Sequence, residues 1–126
     1  MPYKDPVARR KYSREYNRRR YNEDDQYRSA HMTRVVNSRR KSRKLLQEAI
    51  IKYLHTHPCV DCGEADVLVL DFDHVRGGKV FNISEAMHKC YGVATLMAEI
   101  AKCEVRCANC HRRRTAKVRG HWKMLF

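Results

Sequence analysis

The sequence predicts an α+β protein in which a long, basic, helical N-terminal arm precedes a small domain of short strands and helices. Two observations divide the chain. Residues 1–50 hold 15 Lys and Arg against 6 Asp and Glu, net +9, whereas residues 51–126 hold 12 against 8, net +4. All six cysteines also follow residue 58. We therefore expect a helical arm at 1–57 and a cysteine-bearing domain at 58–126.

The arm begins with a basic helix. "RRKYSREYNRRRY", residues 9–21, contains no Gly or Pro, and its apolar face consists of tyrosines, with Tyr12 and Tyr16 one helical turn apart. A helix with so little to bury is marginal alone and would become ordered on a partner. "NEDDQ", residues 22–26, interrupts the basic run and is expected to be a joint.

The remaining elements follow from apolar periodicity. A longer helix is predicted over 28–57, because its apolar residues recur near the 3.6-residue period and Pro58 ends it. The first half of "DVLVLDFDHV", residues 66–75, has the composition of a strand. "SEAMHKC" and "VATLMAEIAKC" predict short helices, the first capped by Ser84. "EVRC" fits a second strand, and "NCHRRRT" begins a final helix that frays near Gly120.

The net charge favours a polyanionic partner. Lys and Arg number 27 against 14 Asp and Glu, which gives +13 over 126 residues and favours nucleic acid over a membrane surface. No apolar run approaches the roughly 18 residues that span a bilayer, so no membrane partner is expected. Since no signal peptide opens the chain, we expect a cytoplasmic protein with reduced thiols or metal ligands. A secreted disulfide protein is the disfavoured alternative.

Two cysteine pairs predict a structural zinc site. Cys59 and Cys62 form one CxxC, and Cys107 and Cys110 form another. Thiolates at this spacing can converge on one tetrahedral Zn²⁺ at about 2.3 Å, and a site closed by four thiolates has no open position for catalysis. The alternatives are ordinary buried thiols or a redox pair.

The other two cysteines, Cys90 and Cys103, lack such a partner and are assigned to packing.

A second group of residues suggests chemistry on phosphates. Asp73 and His74 lie side by side at the end of the predicted strand, and His111 directly follows the last cysteine. A carboxylate and an imidazole form a partial shell for a divalent ion. His74 alternates in direction from Asp73, so it could instead take a proton from water. Three arginines, 112–114, stand beside a predicted helix N-terminus, which favours phosphate.

The segments "PCVDCG", "LDFDHV" and "EIAKCEVRCANCHRRRT" closely resemble the HNH endonucleases, in the zinc-containing subgroup common in bacteriophages. The match covers residues 58–115 in the family's order: CxxC, then Asp-His, then CxxCH. The resemblance implies a ββα-metal (His-Me finger) fold, in which two strands and a helix hold one catalytic divalent ion. It also implies hydrolysis or nicking of DNA in a bacterial host cytoplasm, with partners in phage packaging or homing.

The resemblance assigns roles residue by residue. Asp73 and His111 would bind the catalytic ion, which could be Mg²⁺, Mn²⁺, Ni²⁺ or Co²⁺ and would stabilise the leaving 3′ oxygen. His74 would be the general base. The structural zinc would be held by Cys59, Cys62, Cys107 and Cys110. Separately from the resemblance, the basic charge itself predicts that the backbone of double-stranded DNA is contacted by the arm and by Arg112, Arg113, Arg114 and Lys117.

The chain departs from the family at the middle asparagine, which braces the loop carrying the general base. That residue often lies five positions before the third zinc cysteine, where this chain has Lys102. Of the nearby asparagines, Asn109 is expected to lie closer to the site than Asn82. The stretch 79–102 between the strands is long and is expected to form a helical cap.

Other function classes fit less of the sequence. A non-catalytic zinc-dependent DNA-binding protein needs the basic arm and the cysteine pairs, but not Asp73, His74 and His111 together. A zinc nucleobase deaminase needs a His-x-Glu triplet, which does not occur in this sequence. A structural interaction protein leaves the Asp-His and Cys-His pairs unexplained.

Overall fold

The computed structural model describes residues 4–126 and has the expected α+β class, mostly helical with one two-stranded antiparallel sheet. The elements in chain order are α1 (Pro6–Glu23), α2 (Asp25–His55), β1 (Leu70–His74), α3 (Ile83–Lys89), α4 (Val93–Ile100), β2 (Cys103–Cys107) and α5 (Ala108–Arg119). Short 3-10 turns at Val67–Val69 and Trp122–Leu125 precede β1 and follow α5. No helix within residues 4–126 is long and apolar enough to cross a membrane.

The chain forms two compact units that divide between Arg40 and Lys41. The sequence prediction placed its boundary after residue 57. The difference concerns the last turns of α2, whose buried residues Leu46 and Leu54 belong to the cores of the second unit. The assignment of residues 1–57 to one DNA-binding arm stays a prediction, and its residues 1–3 lie outside those described.

The first unit is built with hardly any apolar core. No residue of α1 is buried, and the Tyr12 and Tyr16 rings stack on its surface with centroids 6.2 Å apart. Asp5 begins α1 by accepting hydrogen bonds from the amides of Val7 and Ala8. The predicted joint is present at Asp24, whose carboxylate accepts from the Tyr27 amide and so begins α2.

The sheet of the second unit has two chemically different faces. β1 and β2 pair so that Phe72 lies opposite Val105 and His74 opposite Cys103. Phe72, Val105 and Cys103 belong to the hydrophobic clusters of this unit. Since side chains alternate along a strand, the other face carries charged residues, with Asp71 opposite Arg106 and Asp73 opposite Glu104. The sheet therefore separates apolar side chains on one face from charged side chains on the other, and two of the charged residues, Asp73 and Arg106, are themselves buried.

Two hydrophobic clusters support the sheet. The first joins α2, α3, α4 and β2 through Leu46, Phe81, Ile83, Ala86, Leu96, Ile100 and Cys103. The second is half cysteine and comprises Leu54, Cys59, Leu70, Val105, Cys107 and Cys110. The expected helical cap over residues 79–102 is present as α3 and α4. Its helices contribute much of the first cluster, and α4 contacts β2.

Two local predictions were wrong. The first half of residues 66–75 is not a strand, because the Asp66 side chain accepts from the Leu68 amide and starts a 3-10 turn; the strand is the second half. Ser84 does not cap α3, since it lies inside the helix. Asn82 occupies the cap position, and the Glu85 carboxylate accepts from its amide at 3.0 Å in a capping box.

Candidate functional site

The four paired cysteines converge as predicted. The Sγ atoms of Cys59, Cys62, Cys107 and Cys110 all lie within 4.8 Å of one another, and those of Cys62 and Cys107 are 3.7 Å apart. Sulfurs around a tetrahedral zinc with bonds of about 2.3 Å are separated by about 3.8 Å. The cluster is therefore positioned to bind a metal ion such as zinc.

The backbone holds these thiols from two sides. The first cysteine loop is closed by the amide of Gly63, which donates to the Cys59 carbonyl at 2.9 Å, and Gly63 adopts a positive φ of 77° that glycine tolerates best. The Val60 amide donates to the Val105 carbonyl at 2.9 Å and ties this loop to β2. At the second pair, the Cys107 Sγ accepts from the Cys110 amide at the start of α5.

The pKa values of Cys59 and Cys110 differ because their thiols lie close together. Burial opposes ionisation of Cys59, but backbone N–H groups of Cys107, Cys62 and Asp61 outweigh it and lower the pKa of Cys59 to about 6. Hydrogen bonding to Cys107, together with burial, raises the pKa of Cys110 to about 12. Further thiolates are thus disfavoured beside the first one. A divalent cation would remove this repulsion and deprotonate all four.

Asp73, His74 and His111 line one cleft of about 680 Å³ beside β1. Asp73 is 5% exposed, and its side chain faces α5, whereas His74 faces α4 across the strand. Lys79, Arg114 and Arg119 also line the cleft and make it basic. The three side chains singled out from the sequence therefore reach one solvent-accessible space.

His111 is held between two carboxylates of β1. Its Nδ1 lies 3.3 Å from Asp71 Oδ2, and its Nε2 lies 3.6 Å from Asp73 Oδ1. If Nδ1–H donates to Asp71, the lone pair of Nε2 is directed to the Asp73 side, an arrangement common for metal-binding histidines. The separation of 3.6 Å lets both atoms reach one ion at bond lengths of about 2.1 Å.

Two arginines already neutralise Asp73. Arg106 Nη1 donates to its Oδ2 at 2.8 Å, and Arg114 Nη1 lies 3.1 Å from the same oxygen. Arg106 is 8% exposed and also donates to Asp61 at 2.8 Å and to Glu104. Burial works against its charge, but the hydrogen bonds to Asp61 and Glu104 prevail and raise the pKa of Arg106. Within residues 4–126, only the four cysteines bring three or more metal-binding groups together.

His74 has a carboxylate partner from α4. Its Nε2 lies 3.0 Å from Glu99 Oε1, and Glu99 is 2% exposed. The Lys102 ammonium, which donates to Glu99 at 2.8 Å, holds the pKa of Glu99 down to about 2 against the effect of burial. Glu99 is therefore a buried, ionised carboxylate in contact with His74.

The other predicted residues are dispersed. Of the three consecutive arginines, Arg114 lines the cleft, Arg112 a neighbouring depression that also contains His111, and Arg113 a third depression with Lys117. This follows from the roughly 100° between successive helical residues.

The two asparagines also separate. Asn109 is exposed on the first turn of α5 and is not among the cleft-lining residues, whereas Asn82 is one of them.

Sequence reasoning did not single out Asp71, Glu99 or Arg106. Asp71 could have been found from strand alternation, since it lies two residues before Asp73 and must share its face. Arg106 lies opposite Asp71 once the strands are paired. Glu99 carries no sequence signal of this kind, because its contact with His74 depends on how α4 packs.

Comparison of the chain with protein-family models, with curated proteins and with solved structures gives no match.

Proposed function

We propose that this chain is a metal-dependent DNA endonuclease of the HNH type. The proposal rests on the cleft in which Asp73, His74 and His111 meet. They are carried by two antiparallel strands followed by a helix, β1, β2 and α5, which is the element order of a ββα-metal core. The four-cysteine cluster joins the loop before β1 to the start of α5, and a structural zinc there would fix that arrangement.

In this proposal each side chain has a separate task. Asp73 and His111 hold a divalent ion, which when bound supplies Lewis-acid stabilisation of the leaving 3′ oxygen. His74 accepts a proton from water as the water oxygen bonds to phosphorus, while the bond from phosphorus to the 3′ oxygen breaks and leaves its electron pair on that oxygen. Arg114 and Lys79 provide positive charge in the cleft for the phosphate.

The basic surfaces support DNA as the substrate. Residues 1–50 carry a net charge of +9, and no residue of α1 is buried, so its basic side chains are accessible to phosphates. Arg112, Arg113 and Lys117 lie on other sides of α5, so they would contact different phosphates along a duplex rather than the one being cleaved.

A second candidate is a non-catalytic, zinc-dependent DNA-binding protein. The observation that favours it is the pairing of Asp73 with Arg106 and Arg114, because these guanidinium groups already compensate the carboxylate that an ion would need. This protein would use the same basic surfaces but would leave DNA intact.

Cleavage of supercoiled plasmid separates the two candidates. We expect purified protein to produce relaxed or linear DNA with at least one of Mg²⁺, Mn²⁺, Ni²⁺ and Co²⁺. His74→Ala should abolish cleavage with unchanged circular dichroism and zinc content, whereas His88→Ala, at an exposed position on α3, should cut normally. Plasmid that stays supercoiled with every ion, yet is bound by the protein, would favour the non-catalytic candidate.

A further inference from the structure

Glu99 is a buried acid with no role in the proposed cleavage reaction. Its Oε1 accepts from the Val80 amide at 3.0 Å and lies 3.0 Å from His74 Nε2, and its Oε2 accepts from Lys102 at 2.8 Å. Both carboxylate oxygens are therefore occupied. A carboxylate this well bound by donors has a fixed position and remains an acceptor.

The contact determines which nitrogen of His74 carries a proton. An ionised carboxylate can only accept hydrogen bonds, so Nε2 must be the donor. In the neutral imidazole one nitrogen bears hydrogen and the other a lone pair. Nδ1 is then the only atom of this ring that can take a proton from water.

The same contact fixes the position of the imidazole. The His74 side chain is 17% exposed and lines the cleft, while its Nε2 contacts the Glu99 carboxylate. Lys102 Nζ also donates to the Gly78 carbonyl at 2.9 Å, which joins the loop after β1 to the acid that holds the histidine. Loop, acid and imidazole are thus connected by direct hydrogen bonds.

We propose that Glu99 is the positioning residue for His74, holding the imidazole as its Nε2–H tautomer so that Nδ1 acts as the proton acceptor. This rests on the proposed function. The Glu99 carboxylate would brace the general base, a task that an asparagine performs in the HNH family and for which this chain has Lys102 at the corresponding position. Lys102 would in turn anchor Glu99. When Nδ1 takes the proton from water, the resulting imidazolium lies beside the Glu99 carboxylate, which stabilises its charge.

The test compares three variants with the wild type. Glu99→Leu removes the acceptor at similar volume, and Glu99→Gln keeps the shape and a neutral acceptor in case the leucine variant fails to fold. Glu48→Leu is the matched control, because it makes the same replacement at an exposed glutamate of α2 that does not line the cleft. Nitrogen-15 chemical shifts of His74, measured above the pH at which the ring is protonated, report the tautomer. Plasmid cleavage reports kcat and KM.

We expect a wild-type His74 with hydrogen on Nε2 and a lone pair on Nδ1, and the same pattern in Glu48→Leu. In Glu99→Leu the two tautomers should mix. Its kcat should fall about 10- to 100-fold with KM for DNA unchanged, which is no more than the lower end of the roughly 10²- to 10⁴-fold that a general base supplies, because His74 loses its positioning partner but is not removed. Glu99→Gln should lie between it and the wild type.

Two results would overturn the inference. One is a wild-type His74 that carries its hydrogen on Nδ1. The other is an active wild type whose kcat is unaltered by both Glu99 substitutions. A wild type that cuts no plasmid with any ion refutes the proposed function instead. In that case the nitrogen-15 chemical shifts alone test whether Glu99 sets the tautomer of His74.

Discussion

Replacement of Cys107 by serine tests how far the stability of the second unit depends on its four-cysteine cluster. Cys107 contributes one of the four convergent thiols, its Sγ accepts from the Cys110 amide, and it pairs with Leu70 at the end of β2. Serine preserves the shape and the capping acceptor. The substitution therefore changes mainly the affinity for the metal.

The expected loss follows from the makeup of the second hydrophobic cluster. Its buried aliphatic residues are Leu54, Leu70 and Val105, which at about 1.5–3 kcal/mol each supply at most about 5–9 kcal/mol before the entropy of ordering is subtracted. A structural zinc contributes on the order of 10 kcal/mol. If the substitution removes even half of this, the melting temperature should fall by about 20–40 °C, because 1 kcal/mol corresponds to about 4–8 °C in a unit of this size.

The assay combines zinc content by elemental analysis with thermal unfolding followed by circular dichroism. Cys90→Ser is the control, since Cys90 is a half-buried cysteine outside the cluster, and it should keep one zinc per chain and a melting temperature near that of the wild type. A Cys107→Ser protein with stoichiometric zinc and unchanged melting would show that the four thiols are not a structural metal site.

Three further predictions concern other parts of the chain. Leu46→Ala should lower the free energy of unfolding in urea by about 2–5 kcal/mol, whereas Leu45→Ala in the same helix should change that free energy by about 0.5 kcal/mol or less. The reason is that Leu46 is 1% and Leu45 56% exposed. Equal losses would contradict the described core. Deletion of residues 1–27 should weaken DNA binding and make log K less dependent on log salt, by about 0.9 for each phosphate that the arm neutralises in the full chain; an unchanged slope would show that the arm does not bind DNA. The pKa of Glu99 is lowered from 4.5 to about 2 in the folded chain, so its stabilising effect is complete above pH 4.5 and disappears as pH falls toward 2. The stability of Glu99→Gln should therefore depend less steeply on pH in acid than that of the wild type. Identical acid-unfolding profiles would contradict the ion pair with Lys102.

The sequence predicted those helix boundaries that are set by interactions within a few residues. The joint near Asp24 and the end of α2 before Pro58 follow from capping and proline chemistry, which act within a few residues. The strand in residues 66–75 was displaced because apolar composition cannot distinguish a strand from a short 3-10 turn. The Asp66 side chain decides that question through one hydrogen bond.

The candidate site was predictable where the residues adjoin a cysteine pair or share a strand. His111 follows Cys110 directly, so convergence of the cysteines also brings His111 to β1. The partners of Asp73 and His74 were not predictable in this way. Arg106 requires knowledge of strand register, and Glu99 requires the packing of α4, and neither is encoded by a short motif.

The guanidinium of Arg106 links the first cysteine loop to the cleft. One side of it is bound by Asp61, inside the first cysteine loop, and another by Asp73 in the cleft. If a metal bound by the four cysteines orders the first cysteine loop, a chain without that metal would lack the Asp61 anchor for the guanidinium, and the cleft would take its present arrangement only after metal binding. Titration of zinc into stripped protein should then order Asp61 and Asp73 in a single NMR transition, and two separate transitions would show that assembly of the loop and of the cleft are uncoupled.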